Sequence, residues 1–223
     1  MSLLTPLLAS AEAPKAFSYQ YGFTGAGIPF SISATRSLRA IGDNQWQTEL
    51  SAKNFLGSIR ETSTFHWQGC VPITTHYEYK RKGLGQSRSA QLTLAQQDAT
   101  PNAVLTKEGK ISREFDIASD TTDMLALPLA IQCRLQQRGD SAPLAFNVAS
   151  EKRHETINFR IMGTEMVKTP AGQFNAIRVE RQRNGNASRN TLMWFAPEHN
   201  YALVRMKQED GSSTYEMKLN KLG

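Results

Sequence analysis

The chain has 223 residues, 39% of them hydrophobic, and a formal net charge of +6. That length suits one generous domain whose core can form without staples. Nucleic acid is excluded as a partner class, because the basic residues are spread along the chain and not gathered into a stripe or tail.

At the N-terminus, Leu3, Leu4, Leu7 and Leu8 make a short apolar run. Ala9-Ser10-Ala11 and Ala11-Glu12-Ala13 follow it with the small residues that signal peptidase reads. Residues 1–13 are therefore expected to be the remnant of a signal peptide, and 14–223 a single β domain of the periplasm. No Cys follows the run, so a lipid anchor is not expected. No other stretch approaches the ~18 apolar residues of a membrane span, and no transmembrane span is predicted.

Period-2 alternation then dominates, the mark of half-buried strands. Ile28, Phe30, Ile32 and Ala34 alternate with polar neighbours, as do Trp46, Thr48, Leu50 and Ala52. Ile73, Thr75, Tyr77 and Tyr79 continue the pattern, followed by Ala90, Leu92 and Leu94. Turn signals stand between the runs at Gly42-Asp43-Asn44, Lys82-Gly83, Glu108-Gly109, Asn184-Gly185 and Asp210-Gly211. Gln96–Asn102 reads as a loop. The regular spacing predicts an antiparallel meander, with strands adjacent in sequence paired in space.

One segment breaks the rhythm. Met124, Leu127, Ile131 and Leu135 fall on one helical stripe. The spacing predicts a helix over about 121–138, with Asp120 as N-cap, Asp123 in the first turn, Gly139 at the C-terminal end and Pro128 as a kink. Beyond it, Phe159-Arg160-Ile161-Met162-Gly163-Thr164-Glu165, Thr169-Pro170-Ala171-Gly172 and Arg178-Val179-Glu180-Arg181 read as strand, tight turn, strand. Leu203 and Thr214–Leu219 close the chain as further strands.

The chemistry-bearing residues form no recognisable catalytic set. None of His66, His76, His154 and His199 stands at helical ligand spacing, so neither a metal nor a cofactor is expected. Asp120 and Asp123, the close acidic pair, suit helix capping better than paired-carboxylate catalysis. Cys70 and Cys133 either form one disulfide in an oxidising compartment or remain two buried thiols; the sequence leaves both open. The dense basic runs are Lys80-Arg81-Lys82 and the group Arg178, Arg181, Arg183 and Arg189. They read as solvated strand faces or as contacts to an anionic surface such as lipid headgroups.

An ordered set of short motifs resembles a bacterial envelope family, the domain of unknown function 3108. The set runs from Gly27-Ile28-Pro29 through Trp67-Gln68-Gly69-Cys70-Val71-Pro72-Ile73 and Tyr77-Glu78-Tyr79 to Asp123-Met124-Leu125-Ala126. It continues with Gln132-Cys133-Arg134-Leu135, Gly163-Thr164-Glu165, Thr169-Pro170-Ala171-Gly172 and Trp194-Phe195-Ala196-Pro197. Ala126 replaces the usual Ser of the helix start, and Asp98 is displaced from its usual place. The resemblance implies periplasmic export and antiparallel β architecture. It carries no activity and no catalytic residues.

Together these readings predict an all-β fold, a strongly curved antiparallel sheet or half-open barrel with one inserted helix. The expected role is non-catalytic. A lipid or other apolar or amphipathic molecule would sit in the concave face, lined by Trp67, Tyr77, Tyr79 and Trp194, with Arg178 and Arg181 at its rim. The alternative is an interaction or assembly module that pairs with another envelope protein through its sheet edges. A hydrolase of envelope polymer is the third reading.

Overall fold

The computed structural model describes residues 13–25, 28–55, 57–83, 86–141, 143–182 and 189–223, with side chains except those of residues 28–31, 86, 140 and 189. The N-terminal apolar run, the Asn184-Gly185 turn and the Arg183 and Arg189 side chains lie outside that description. So do the Ile28 and Phe30 side chains.

The chain forms strands β1 (Phe17–Gly25), β2 (Ile28–Gly42), β3 (Gln45–Asn54), β4 (Gly57–Gln68), β5 (Val71–Gly83), β6 (Gln86–Ala95), β7 (Asn102–Lys107), β8 (Lys110–Asp116) and β9 (Thr122–Asp123). Helix α1 (Leu127–Arg138) follows, then β10 (Leu144–Ala149), β11 (His154–Thr169), β12 (Gly172–Arg181), β13 (Arg189–Ala196), β14 (Ala202–Asp210) and β15 (Ser213–Lys221). All the strands belong to one 15-stranded sheet, ordered β8-β7-β6-β5-β4-β3-β2-β1-β15-β14-β13-β12-β11-β10-β9. Every neighbouring pair is antiparallel except β9 and β10. The expected meander is therefore present, twice. β1–β8 and β10–β15 each zigzag through sequence neighbours, and the first and last strands join them, with Tyr21 opposite Leu219.

The hairpin chemistry accounts for the register. Asp43-Asn44, Glu108-Gly109 and Pro170-Ala171 are the short links between paired strands. Register shifts at Gln20/Tyr21, Thr64/Phe65, Ile161/Thr164 and Trp194/Phe195 are bulges. Bulges bend a strand and add twist, and the sheet is strongly curved as predicted. Its inner face carries Tyr21, Leu38, Phe65, Leu92, Leu105 and Leu219, each 2% exposed or less.

The helix is shorter than the sequence spacing predicts. It begins at Leu127, not near residue 121, and Pro128 sits in its first turn, where a missing N–H costs nothing. Pro128 thus starts the helix and does not kink it. Thr121–Ala126 is instead an extended crossing followed by a turn. Met124 is 45% exposed and outside the stripe, while Leu127, Ile131 and Leu135 are buried against β10–β15. Burying each of these side chains stabilises the fold by roughly 1.5–3 kcal/mol. Leu129 and Cys133, on another side of the helix, pack with Leu38, Phe65 and Trp67. Helix α1 therefore bridges both halves of the curled sheet.

The curl closes on itself. Ala149 at the end of β10 packs with Leu92, Leu94, Ala103 and Leu105 of β6 and β7 and with Ile117. Beside it, Glu151 pairs with Arg88 at 2.5 Å, and the Arg113 guanidinium donates to the Glu151 carbonyl oxygen at 3.3 Å.

Candidate functional site

The crossing between β8 and α1 threads the inside of the curl, and Asp123 organises it. Its Oδ1 accepts from the backbone N–H groups of Leu125 at 2.8 Å and Ala126 at 3.1 Å. Its Oδ2 accepts from the hydroxyls of Ser63 and Thr74, the latter at 2.8 Å. Gln96 adds a second tie: its side-chain amide Nε2 donates to the Thr74 and Thr121 carbonyls at 2.6 and 2.8 Å, and its Oε1 accepts from the Thr121 N–H at 2.7 Å. Asp123 is 1% exposed, and burial pushes its carboxyl above the ordinary value even though these four hydrogen bonds pull the other way. The residue caps the turn that leads into the helix. Asp120 is not the N-cap; it accepts from Asn147 Nδ2 at 2.7 Å at the surface. The two carboxylates have separate partners and separate surroundings.

A second buried polar group lies on β1 and β2. Arg36 is 4% exposed and donates to the Leu125 carbonyl at 3.3 Å, and Tyr21 donates to the Leu203 carbonyl at 2.8 Å. Burial pushes the Tyr21 hydroxyl up to about 12, with the Arg36 charge opposing the shift. These bonds join strands, crossing and helix turn. They satisfy buried polar atoms, as a well-formed interior requires.

The six residues expected to line a ligand site are dispersed. Trp67, 7% exposed, lies at the end of β4 beside the disulfide, in a crevice of about 40 Å³ shared with Phe17, Leu38, Leu129 and Cys133. That space holds about one water, not a lipid chain. Tyr77 and Tyr79 are half-buried on the inner face. The Tyr77 hydroxyl donates to Glu61 at 3.0 Å, and burial pushes both groups up. The Arg88 guanidinium stands 5.5 Å from the Tyr79 ring. Arg178 and Arg181 take opposite faces of β12, as their odd spacing demands. Arg181 pairs with Glu155 at 3.0 Å. Arg178 joins Glu165 at 3.3 Å, on the face where Trp194 Nε1 also donates to Glu165, at 2.6 Å. Arg205 covers the Trp194 ring at 4.6 Å.

Cys70 and Cys133 are bonded, with Cα atoms 5.4 Å apart. The tight turn Gly69-Cys70 has both residues at positive φ and carries the Cys70 Sγ that bonds to the helix. Among the described residues, no group of three or more His, Cys, Asp and Glu side chains could hold a metal ion.

A ligand-sized space exists elsewhere, on β1–β4. It is an open groove of about 650 Å³, within the range of small-molecule sites. Ser33, Thr35, Glu49, Ser51, Lys53 and Arg60 contribute to its wall. The pairings Thr35↔Ser51 and Ser51↔Arg60 place these side chains on one side of the sheet, and the row Ala34, Ala52 and Ile59 between them also borders the groove. Arg60 is held by Glu49 at 2.7 Å. The sequence reading passed over these residues. Their signal is small polar or charged side chains at alternate positions in three successive strands, which a merely solvated face also shows.

A curled, nearly all-antiparallel sheet plugged by its own helix and stapled by one disulfide defines a β-barrel-like domain. The chain belongs to the family of proteins of unknown function DUF3108, whose profile matches residues 17–220. Its fold is similar to that of a β-barrel-like protein of the domain of unknown function DUF1849 from Brucella abortus, with TM-score 0.59 and 12% identity over 93% of this chain and 96% of that chain. A protein from Parabacteroides distasonis, provisionally termed a lipoprotein, aligns over 94% of this chain and 96% of its own at 12% identity and TM-score 0.35, too low to bear on the fold. No curated protein matches the chain. Among the described residues, no helix is long and apolar enough to cross a membrane.

Proposed function

We propose that this is a non-catalytic periplasmic protein of the bacterial envelope that acts by binding at the outside of its curled sheet. The observation that carries this reading is the contrast between the two faces. The inner face is occupied by helix α1, the Thr121–Ala126 crossing and their buried partners, and the crevice beside Trp67 has room for about one water. The outer groove on β1–β4 is about 650 Å³ and open. A carrier of an apolar molecule needs the reverse, a roomy apolar interior. The Cys70–Cys133 disulfide supports an oxidising compartment, and so does the apolar run followed by small residues at the N-terminus.

Photo-crosslinking in cells tests the reading. A photoreactive residue at Ser51, in the groove, is expected to give adducts with another molecule, while the same residue at Tyr79, on the inner face, gives only internal links. Adducts from Tyr79, or an apolar molecule retained in native mass spectra of the purified protein, would overturn it in favour of a carrier.

A further inference from the structure

The end of the sheet next to the groove carries an arrangement that the surface-binding reading leaves unused. Asn54 pairs with Gly57, Gly57 with Gly83, and Gly83 with Gln86, so four strands finish in one row. The ends of β3, β4, β5 and β6 therefore lie side by side at the same end of the sheet. One residue back, Lys53, Ser58, Lys82 and Ser87 form the next row, on one face. Ala52, Ile59, Arg81 and Arg88 form the row after, on the other face, and Ser51, Arg60, Lys80 and Ser89 return to the first.

Segments 53–60 and 80–89 contain Lys53, Arg60, Lys80, Arg81, Lys82 and Arg88 and no Asp or Glu, a positive charge equal to the chain's whole excess of +6. The pairing of these cations depends on their distance from the tip. Arg60, Lys80 and Arg88 have carboxylate partners, Glu49, Glu78 and Glu151. Among the described residues, Lys53, Arg81 and Lys82, apart from Arg88 the nearest to the turns, have no ion pair, and all three are exposed. Beyond them, directly after the end of β3, Phe55 is 88% exposed.

We propose that this end of the sheet docks on an anionic phospholipid bilayer. The proposal rests on the surface-binding reading above and names the partner. An exposed aromatic with cations one and two rows behind it matches the layering of a bilayer surface, acyl boundary first and phosphates behind. Neighbouring strands set Lys53, Ser58 and Lys82 about 5 Å apart backbone to backbone, so two ammonium groups flank a hydroxyl and can share lipid phosphates. A soluble polyanion would use the charges but offer no apolar layer for an aromatic side chain that is 88% exposed.

Flotation of the full chain with vesicles tests this. Binding is expected to vesicles of equimolar phosphatidylglycerol and phosphatidylcholine, to weaken at high salt, and to be absent with phosphatidylcholine alone. The double variant Lys53→Ser/Lys82→Ser should lose roughly 25-fold in affinity, about fivefold for each charge removed from the surface. Phe55→Ser should also weaken binding, and Phe55→Trp should keep it and gain a blue-shifted emission on vesicles. All three positions are exposed, and unchanged circular-dichroism melts confirm that the variants fold. Equal binding to uncharged vesicles, or full binding by the double variant, would overturn the proposal. Full binding by Phe55→Ser would reduce the surface to a general polyanion patch and overturn it as well. No vesicle binding together with adducts from Ser51 would sink the bilayer and leave the surface-binding reading standing; loss of both results would remove both.

Discussion

The Asp123 carboxylate accepts a hydrogen bond from the Thr74 hydroxyl at 2.8 Å across 49 residues of sequence. With the Ser63 hydroxyl on the same oxygen, this bond fixes the crossing between β8 and α1 to the middle of β4 and the first part of β5. Asp123→Ala would leave the Leu125 and Ala126 N–H groups unsatisfied in the interior, at a cost of about 3 kcal/mol. Asp123→Asn keeps an acceptor for both and should cost less. Because burial raises the Asp123 pKa above its unfolded value, its contribution is fully present below that unfolded value and is lost as pH rises through the folded one. The Asn variant should therefore gain on the wild type as pH rises above the ordinary carboxylate value of about 4. Urea denaturation of the three proteins across that range checks both statements.

The Cys70–Cys133 bond closes a loop with a sequence separation of 63. Chain entropy sets its contribution at about 4 kcal/mol. The bond also holds helix α1 to the β4–β5 turn, against Leu38, Phe65 and Trp67. A Cys70→Ala/Cys133→Ala variant, or the wild type under reductant, should melt well below the oxidised protein. A reductant-insensitive melting temperature would show that the bond contributes nothing to stability.

Alkaline pH should unfold the protein through its buried tyrosines. Burial pushes the Tyr21 hydroxyl up from 10.0 to about 12. Its contribution is therefore complete below about 10 and declines as pH rises from there through the folded value, by about 2–3 kcal/mol in all. Tyr77 is raised too, by burial and by the neighbouring Glu61. Tyr21→Phe loses the bond to the Leu203 carbonyl, about 1 kcal/mol at neutral pH. It should nonetheless show a flatter stability profile above pH ~10. Parallel profiles for the two proteins would contradict the assignment.

Gly57 sits where two hairpins touch. A Cβ there would collide with the Lys82 carbonyl oxygen and crowd the Gly83 Cα. Backbone cannot yield as a flexible side chain can, so Gly57→Ala should cost about 1–3 kcal/mol by pushing β4 from β5. Hydrogen exchange should rise at the paired ends Ser58↔Lys82 and Ile59↔Arg81, and stay unchanged at the disulfide end of the same strands.

The sequence by itself determined the strands, most of the turns, the C-terminal part of the helix and the family. Those features are local. Alternation at Trp46–Ala52 or Tyr77–Tyr79 reflects a strand whose side chains change face at every residue, Thr169-Pro170-Ala171-Gly172 encodes its own turn, and Leu127, Ile131 and Leu135 mark a helix face within three turns. The odd separation of Arg178 and Arg181 likewise fixed their opposite faces. Only the tertiary structure decided what fills the curl, because that depends on contacts between distant segments. Thr121–Ala126 could pass for the first turn of the helix on spacing alone. It became a crossing because Ser63, Thr74 and Gln96, brought alongside by strand pairing, offered its polar groups better partners than a helix turn would. The same long-range pairing joined Cys70 to Cys133 and lined Lys53 up with Ser58 and Lys82, a row that no periodicity within one strand can reveal.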